Sequence, residues 1–265
     1  MKYKQKYILD TSILFENISQ DTNVVLDRLN SNNINRRYHL NHSLIEFRLG
    51  LLHNWIGFYL DVLATQDVKG AKRRLAKVIN YKPRQGSTHM LLEALLSQVF
   101  TSLEVGNVGL YLVQIEECIN YAQTSLDLLS LKIKGSNADH HLLKPRFINV
   151  DDYDDFNRRC KADYVVDLAT LFTVRGGRFR ELVAHLKQLS LSGQNAKRVS
   201  TMIVLIEQGL NMTQKVNSKL RNRRYGDIVI AMDTPSGYHV LSSDTSFKFL
   251  CDGLGKTFID YNQLS

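Results

Sequence analysis

Residues 227–259 read DIVIAMDTPSGYHVLSSDTSFKFLCDGLGKTFI. Within them Asp227-Ile-Val-Ile-Ala231 has the texture of a buried helix, and Tyr238-His-Val-Leu241 that of a short strand closed by polar residues. Phe247 to Cys251 reads as a short helix, and Lys256 to Ile259 as a final strand. Strands separated by helices give an α/β class with a mostly parallel sheet flanked by helices. In such a sheet ligands gather outside the carboxyl ends of the strands. Asp244 falls at one such end.

The amino-terminal part has the same texture. Lys4 to Leu9 reads as a strand, and Asp10-Thr11-Ser12 supplies helix-capping side chains ahead of a helix running from Ile13 through Val25 to Leu29. Asp10 therefore also sits where a strand ends. Tyr38 to Leu40 reads as a second short strand, after which Asn41 or Ser43 can cap a helix carrying Leu44, Glu46 and Leu49.

Between these ends the pattern changes. From about Gly57 to Gly135 apolar residues follow helical spacing, with Leu92, Leu95, Leu96, Val99 and Leu103 on one face. Leu112, Ile115, Ile119, Ala122, Leu126 and Leu129 form another, and Gly106, Asn107 and Gly109 let the chain turn between them. Arg146 to Val150 reads as a strand leading into the acidic run 151–155. Helices follow over about 156–173, 179–191 and 199–210, punctuated by Gly176-Gly177 and Gly193. With no repeat and only Pro83, Pro145 and Pro235, one continuous fold is expected. Its sheet-bearing parts are 1–56 plus 144–265, and 57–143 is a long helical insertion between the second helix and the third strand.

A hydrophobic content of 44% can fill a core for 265 residues. Cys118, Cys160 and Cys251 are too scattered for a disulfide framework or a zinc ribbon and fit a reducing compartment. Tyr7-Ile8-Leu9 is far shorter than a signal-peptide core, and no stretch approaches the ~20 apolar residues of a membrane span. A cytoplasmic protein with no membrane partner is expected. Thirty-four Lys and Arg against 26 Asp and Glu give a net charge of +8, which favours a polyanionic partner because neutralising phosphates releases counterions. One basic run holds Lys69, Lys72, Arg73, Arg74, Lys77, Lys82 and Arg84 around Tyr81. Another holds Lys215, Lys219, Arg221, Arg223 and Arg224 and leads directly to Asp227. Either run is equally readable as a solvated helix face.

Tyr7-Ile-Leu-Asp10-Thr-Ser-Ile-Leu14, Leu44-Ile-Glu46-Phe47, Asp227-Ile-Val-Ile-Ala231 and Tyr238-His-Val-Leu-Ser-Ser-Asp244-Thr-Ser-Phe247 occur in that order. Together they resemble PIN-domain nucleases, among them the ribonuclease toxins of toxin–antitoxin modules. The resemblance covers roughly 1–56, the strand near 145–151, and 225–265. The separation of Glu46 and Asp227 is far longer than in compact members.

The resemblance implies a PIN-like fold and a hydrolase, most directly an endoribonuclease. Its catalytic carboxylates are Asp10, Glu46, Asp227 and Asp244, and its products carry 5′-phosphate and 3′-hydroxyl ends. Asp10, Asp227 and Asp244 are the implied metal ligands, and Glu46 a ligand or an orienter of the attacking water. Thr11 and Ser242 are the hydroxyls that fix Asp10. Arg223 and Arg224 would meet the phosphates flanking the scissile bond. Carboxylates within about 4 Å repel by several kcal/mol at an effective dielectric near 20, so such a cluster calls for a divalent cation. Hard oxygens suit Mg²⁺ or Mn²⁺. Asp233 competes with Asp227 as the third acid and ranks below it.

RNA is the implied partner. Single-stranded DNA, a neutralising or regulatory protein and self-association stay open. The alternative from another class is a catalytically silent PIN-like scaffold that binds RNA or protein. His140-His141 lacks zinc-site spacing, and no glycine pattern supports a nucleotide cofactor. Ser12 stands where a haloacid-dehalogenase-type phosphatase has a second Asp.

Overall fold

The computed structural model describes residues 5–19, 22–40, 42–44, 46–47, 55–70, 73–74, 107–132, 170–211 and 224–265. They form an α/β protein around one parallel sheet. The chain begins with β1 (Lys6–Leu9), α1 (Thr11–Ser19), α2 (Thr22–Ser31) and β2 (Arg37–His39). It continues through α3 (Gly57–Thr65), α4 (Val108–Leu129) and β3 (Leu131–Lys132). The carboxyl-terminal half holds α5 (Gly176–Gln188), α6 (Gly193–Leu210), α7 (Arg224–Asp233), β4 (Tyr238–Ser242), α8 (Phe247–Gly253) and β5 (Thr257–Asp260).

The strand order is β3-β2-β1-β4-β5, and every pairing is parallel. Alternation along β1 decides which layer each residue supports. Tyr7 and Leu9 pack with α1, α2, α3 and α4, in a core that includes Ile13, Ile18, Leu29, Trp55, Val62, Ile115 and Leu126. Ile8 packs on the other side with Phe179, Leu182, Ile206, Ile228, Ile230 and Phe247 of α5 to α8. Two apolar helical layers thus enclose the sheet, as buried parallel strands require.

From β1 the chain first moves outward to β2 and β3, then returns to lay β4 on the opposite side of β1. The switch point lies between β1 and β4. There α1 leaves β1 toward one face of the sheet and α8 leaves β4 toward the other, the arrangement that in parallel sheets opens a crevice for ligands. Register fixes what lines it. Leu9 is level with Leu241, so Asp10 follows β1 beside the end of β4.

Several expectations shift in detail. The single helix read from Ile13 to Leu29 is two helices, α1 and α2, both turned into the same core. The break expected at Gly176-Gly177 falls at Arg175, and the two glycines open α5. Burial of Phe179, Leu182, Val183 and Leu186 outweighs the roughly 1 kcal/mol that each glycine costs a helix. Gly193, at φ +61°, does take the left-handed conformation expected of a breaker. Among its described residues the segment read as a helical insertion, 57–143, also carries a two-residue strand, β3, at the sheet edge. Its described helices α3 and α4 share the core of α1 and α2. The Asn107 side chain caps α4, accepting from the Leu110 N–H at 3.3 Å. The apolar face around Leu92 and the strand read at 146–150 lie outside the described residues. Among the described residues no helix is long and apolar enough to cross a membrane.

Candidate active site

Asp10 ends β1 with its backbone still in the ladder, its N–H donating to Leu241 O at 3.0 Å. Its side chain is 4% exposed. Two hydroxyls converge on Oδ2, Ser12 Oγ at 2.6 Å and Ser242 Oγ at 2.8 Å. Each hydroxyl in turn accepts from the loop after β4, Ser12 Oγ from Ser243 N–H at 3.3 Å and Ser242 Oγ from Asp244 N–H at 2.9 Å. The carboxylate is thereby oriented by the strand beside it, and Asp244 is tied to the same network through its own backbone. Burial pushes the Asp10 carboxyl up, and the bonds from Ser12 and Ser242 oppose the rise.

Glu46 reaches the crevice from helical residues that follow β2. Its Oε2 accepts from Thr11 Oγ1 at 2.9 Å, and its Oε1 lies 3.9 Å from His42 Nε2. Burial lowers the His42 pKa to about 3, so the pair is a neutral imidazole beside a carboxylate at ordinary pH. Gly226 stands against Glu46, and a Cβ at that position would collide with the carboxylate. The missing side chain is what lets the first turn of α7 approach.

Asp227 occupies that first turn. Its surface is half-buried, yet protein surrounds the carboxyl closely enough for desolvation to dominate. Its pKa is raised well above the usual carboxylate value, first by burial, then by the charges of Asp10, Glu46 and Asp244; Arg198 opposes them. Four acids, from the end of β1, the helical residues after β2, α7 and the loop after β4, therefore share one field. Asp244 is the most open of them, with its side chain 43% exposed. Its Oδ1 accepts from Ser246 N–H at 2.8 Å and faces Arg198 Nη1 at 3.5 Å. Among the described residues no group of three or more His, Cys, Asp or Glu is placed to hold one metal ion. The acids are near enough to repel one another without forming a closed ligand set.

No protein-family model, curated protein or solved structure matches the chain.

The placement of Asp10, Glu46, Asp227 and Asp244 around one crevice follows the order of the sequence motifs. The expected role of Thr11 does not. Its hydroxyl holds Glu46, and Ser12 supplies the second hydroxyl to Asp10. Ser242 bonds Asp10 as expected. Asp233, the rival third acid, closes α7 at its other end and pairs with Arg175 at 3.2 Å. Arg223 and the Arg224 side chain lie outside the described residues. In the other basic run Arg74 is engaged with Asp61 at 2.8 Å. Sequence reading also passes over His42, whose spacing of four from Glu46 on one helix was the available signal. Arg198 left no local signal.

Proposed function

We propose that this chain is a metal-dependent nuclease of the PIN-like type, hydrolysing phosphodiester bonds in RNA as an endoribonuclease. The observation that carries the reading is the gathering of four carboxylates at the switch point of a parallel sheet: Asp10 and Asp244 are tied through Ser242, and Glu46 lies against the first turn of α7 that bears Asp227. Their charges add to burial in raising the Asp227 pKa. Perturbed acids clustered in a crevice are characteristic of functional sites. Structural carboxylates are ordinarily neutralised where they are buried.

The donor chemistry fits a hard divalent cation, because every group concerned offers carboxylate oxygen. Asp10, Asp227 and Asp244 would hold Mg²⁺ or Mn²⁺. When bound, the ion supplies a lowered pKa for a coordinated water and charge stabilisation at phosphorus and the leaving oxygen. The chain's own contribution is positional. Ser12 and Ser242 hold Asp10 in one orientation, and Thr11 holds Glu46 where it can orient water. The net charge of +8 favours the phosphate backbone as partner.

The rival reading, a PIN-like scaffold that binds RNA or protein without cutting, draws on the absence of a closed ligand set among the described residues. One experiment separates the two. A mixed RNA pool is incubated with the protein and Mg²⁺ or Mn²⁺, with and without EDTA, beside the Asp10→Asn variant. Cleavage that needs the ion and is lost in Asp10→Asn supports the nuclease. Retention of RNA without cleavage under all these conditions supports the scaffold.

A further inference from the structure

We infer that Arg198 is the phosphate-positioning residue of this crevice, held by Asp244 until a divalent cation takes over that carboxylate. The inference rests on the nuclease reading and assigns the cation that meets the substrate. Arg198 lies early in α6, its Nη1 3.5 Å from Asp244 Oδ1, with the two side chains 40% and 43% exposed. Its charge also reaches Asp227 and opposes the rise in that carboxyl's pKa.

The position is fixed by packing rather than by the ion pair. Val199, Met202, Leu205 and Ile206 of α6 are buried with Tyr225, Ile228 and Val229 of α7. The buried Tyr225 hydroxyl donates to Leu205 O at 3.0 Å. Helices α6 and α7 therefore keep Arg198 beside Asp227 and Asp244 whatever the guanidinium is doing.

The contact itself is weak. Strong guanidinium–carboxylate pairs are bidentate at about 2.7–2.9 Å. This one is single, longer, half-exposed, and shares its oxygen with Ser246 N–H. A dication held by Asp244 would cancel the charge that attracts the guanidinium and repel it in turn. The planar fork would then be free to face a phosphate, an acceptor it matches in two bonds. Arg198 thus serves as counter-ion to Asp244 in one state and as clamp for the RNA backbone in the other.

The test uses the full chain with Arg198→Gln and Arg198→Lys, their folding checked by circular dichroism. Mn²⁺ is titrated calorimetrically without RNA. Loss of a competing exposed cation tightens Mn²⁺ binding by roughly two- to fivefold in Arg198→Gln. Binding of a mixed single-stranded RNA pool is then measured against salt in an Asp10→Asn background, where the pool stays intact. Arg198→Gln flattens the log–log salt slope by about 0.7, one phosphate contact on a single strand, and Arg198→Lys retains the slope. Unchanged or weaker Mn²⁺ affinity, or an unchanged slope in Arg198→Gln, overturns the inference. If the unmodified protein binds Mn²⁺ and cuts RNA while these readouts fail, Arg198 alone is removed. If it neither binds Mn²⁺ nor cuts, the nuclease reading falls and this inference with it.

Discussion

The two ends of α7 treat charge in opposite ways. At the carboxyl end, Lys256 Nζ donates to three carbonyls, Ala231 and Thr234 at 2.5 Å and Met232 at 3.1 Å. Asp233, in the same turn, pairs with Arg175 at 3.2 Å. These are the partners a helix terminus needs, a cation on the negative end of the dipole and a counter-ion for a surface acid. At the amino end, Asp227 also suits the dipole in sign, but burial and three further acids override that benefit and push its pKa well up. One end is neutralised for stability. The other is left frustrated, and the missing charge is what the proposed divalent cation would supply.

The largest effect that sharpens this contrast is on activity. Asp244→Asn removes an acid tied by its backbone to Ser242 and thence to Asp10, and RNA cleavage falls by roughly a hundredfold or more. Circular dichroism and the melting temperature stay close to those of the unmodified protein, because a like charge has been taken from the cluster. Persistent cleavage in Asp244→Asn would break the assignment of that end as the working one.

Next in size is the opposite end. Lys256→Met leaves half-buried carbonyls of the last turn of α7 without their donor, and urea unfolding records a loss of roughly 2–3 kcal/mol. RNA cleavage at a temperature where the variant remains folded changes little. A variant as stable as the parent would mean that water replaces the ammonium and that the compensation is not needed.

The finest comparison uses two acids of one helix. Asp227→Asn removes a carboxylate that the fold disfavours, and the metal-free protein becomes more stable by on the order of 1 kcal/mol. Asp233→Asn loses an exposed ion pair and costs at most about 1 kcal/mol. The pH dependence carries a sign as well. Because the folded value of Asp227 lies above its ordinary 3.8, the folded chain binds that proton more tightly than the unfolded chain. Stability is therefore lost as pH climbs from about 3.8 through the raised value. In Asp227→Asn its share of this decline disappears, leaving the decline from Asp10, whose pKa is raised too, and the opposing rise from His42, whose pKa is lowered to about 3. Denaturant midpoints from pH 3 to 8 without divalent ions measure it.

The parallel α/β framework was legible because its signals are local: Ile8 and Val240 sit in strands bounded by capping residues, and each is followed by an acid within a few positions. The expectation that the acids would gather rested on equally local signals: Asp10 and Asp244 follow strands, and Asp227 stands in the first turn of a helix. What sequence could not decide depends on tertiary approach. Thr11 and Ser12 are adjacent hydroxyls, and which of them turns to Asp10 is settled by the return of β4, which places Ser243 N–H against Ser12. Arg198 enters through the packing of α6 on α7, with no motif of its own. The strand β3 has only Leu131 and Lys132, too few residues for an alternation to register. That Gly226 faces Glu46 follows only once α7 is docked.

The most direct measurement is the titration of the Asp227 carboxyl carbon by ¹³C NMR, in the metal-free protein and again with saturating Mg²⁺. A cluster built to receive a hard dication gives a midpoint well above the ordinary 3.8 without the ion, falling sharply when Mg²⁺ is added. A midpoint near 3.8 that ignores Mg²⁺ would contradict the account, since Asp227 would then neither feel the other three acids nor share an ion with them.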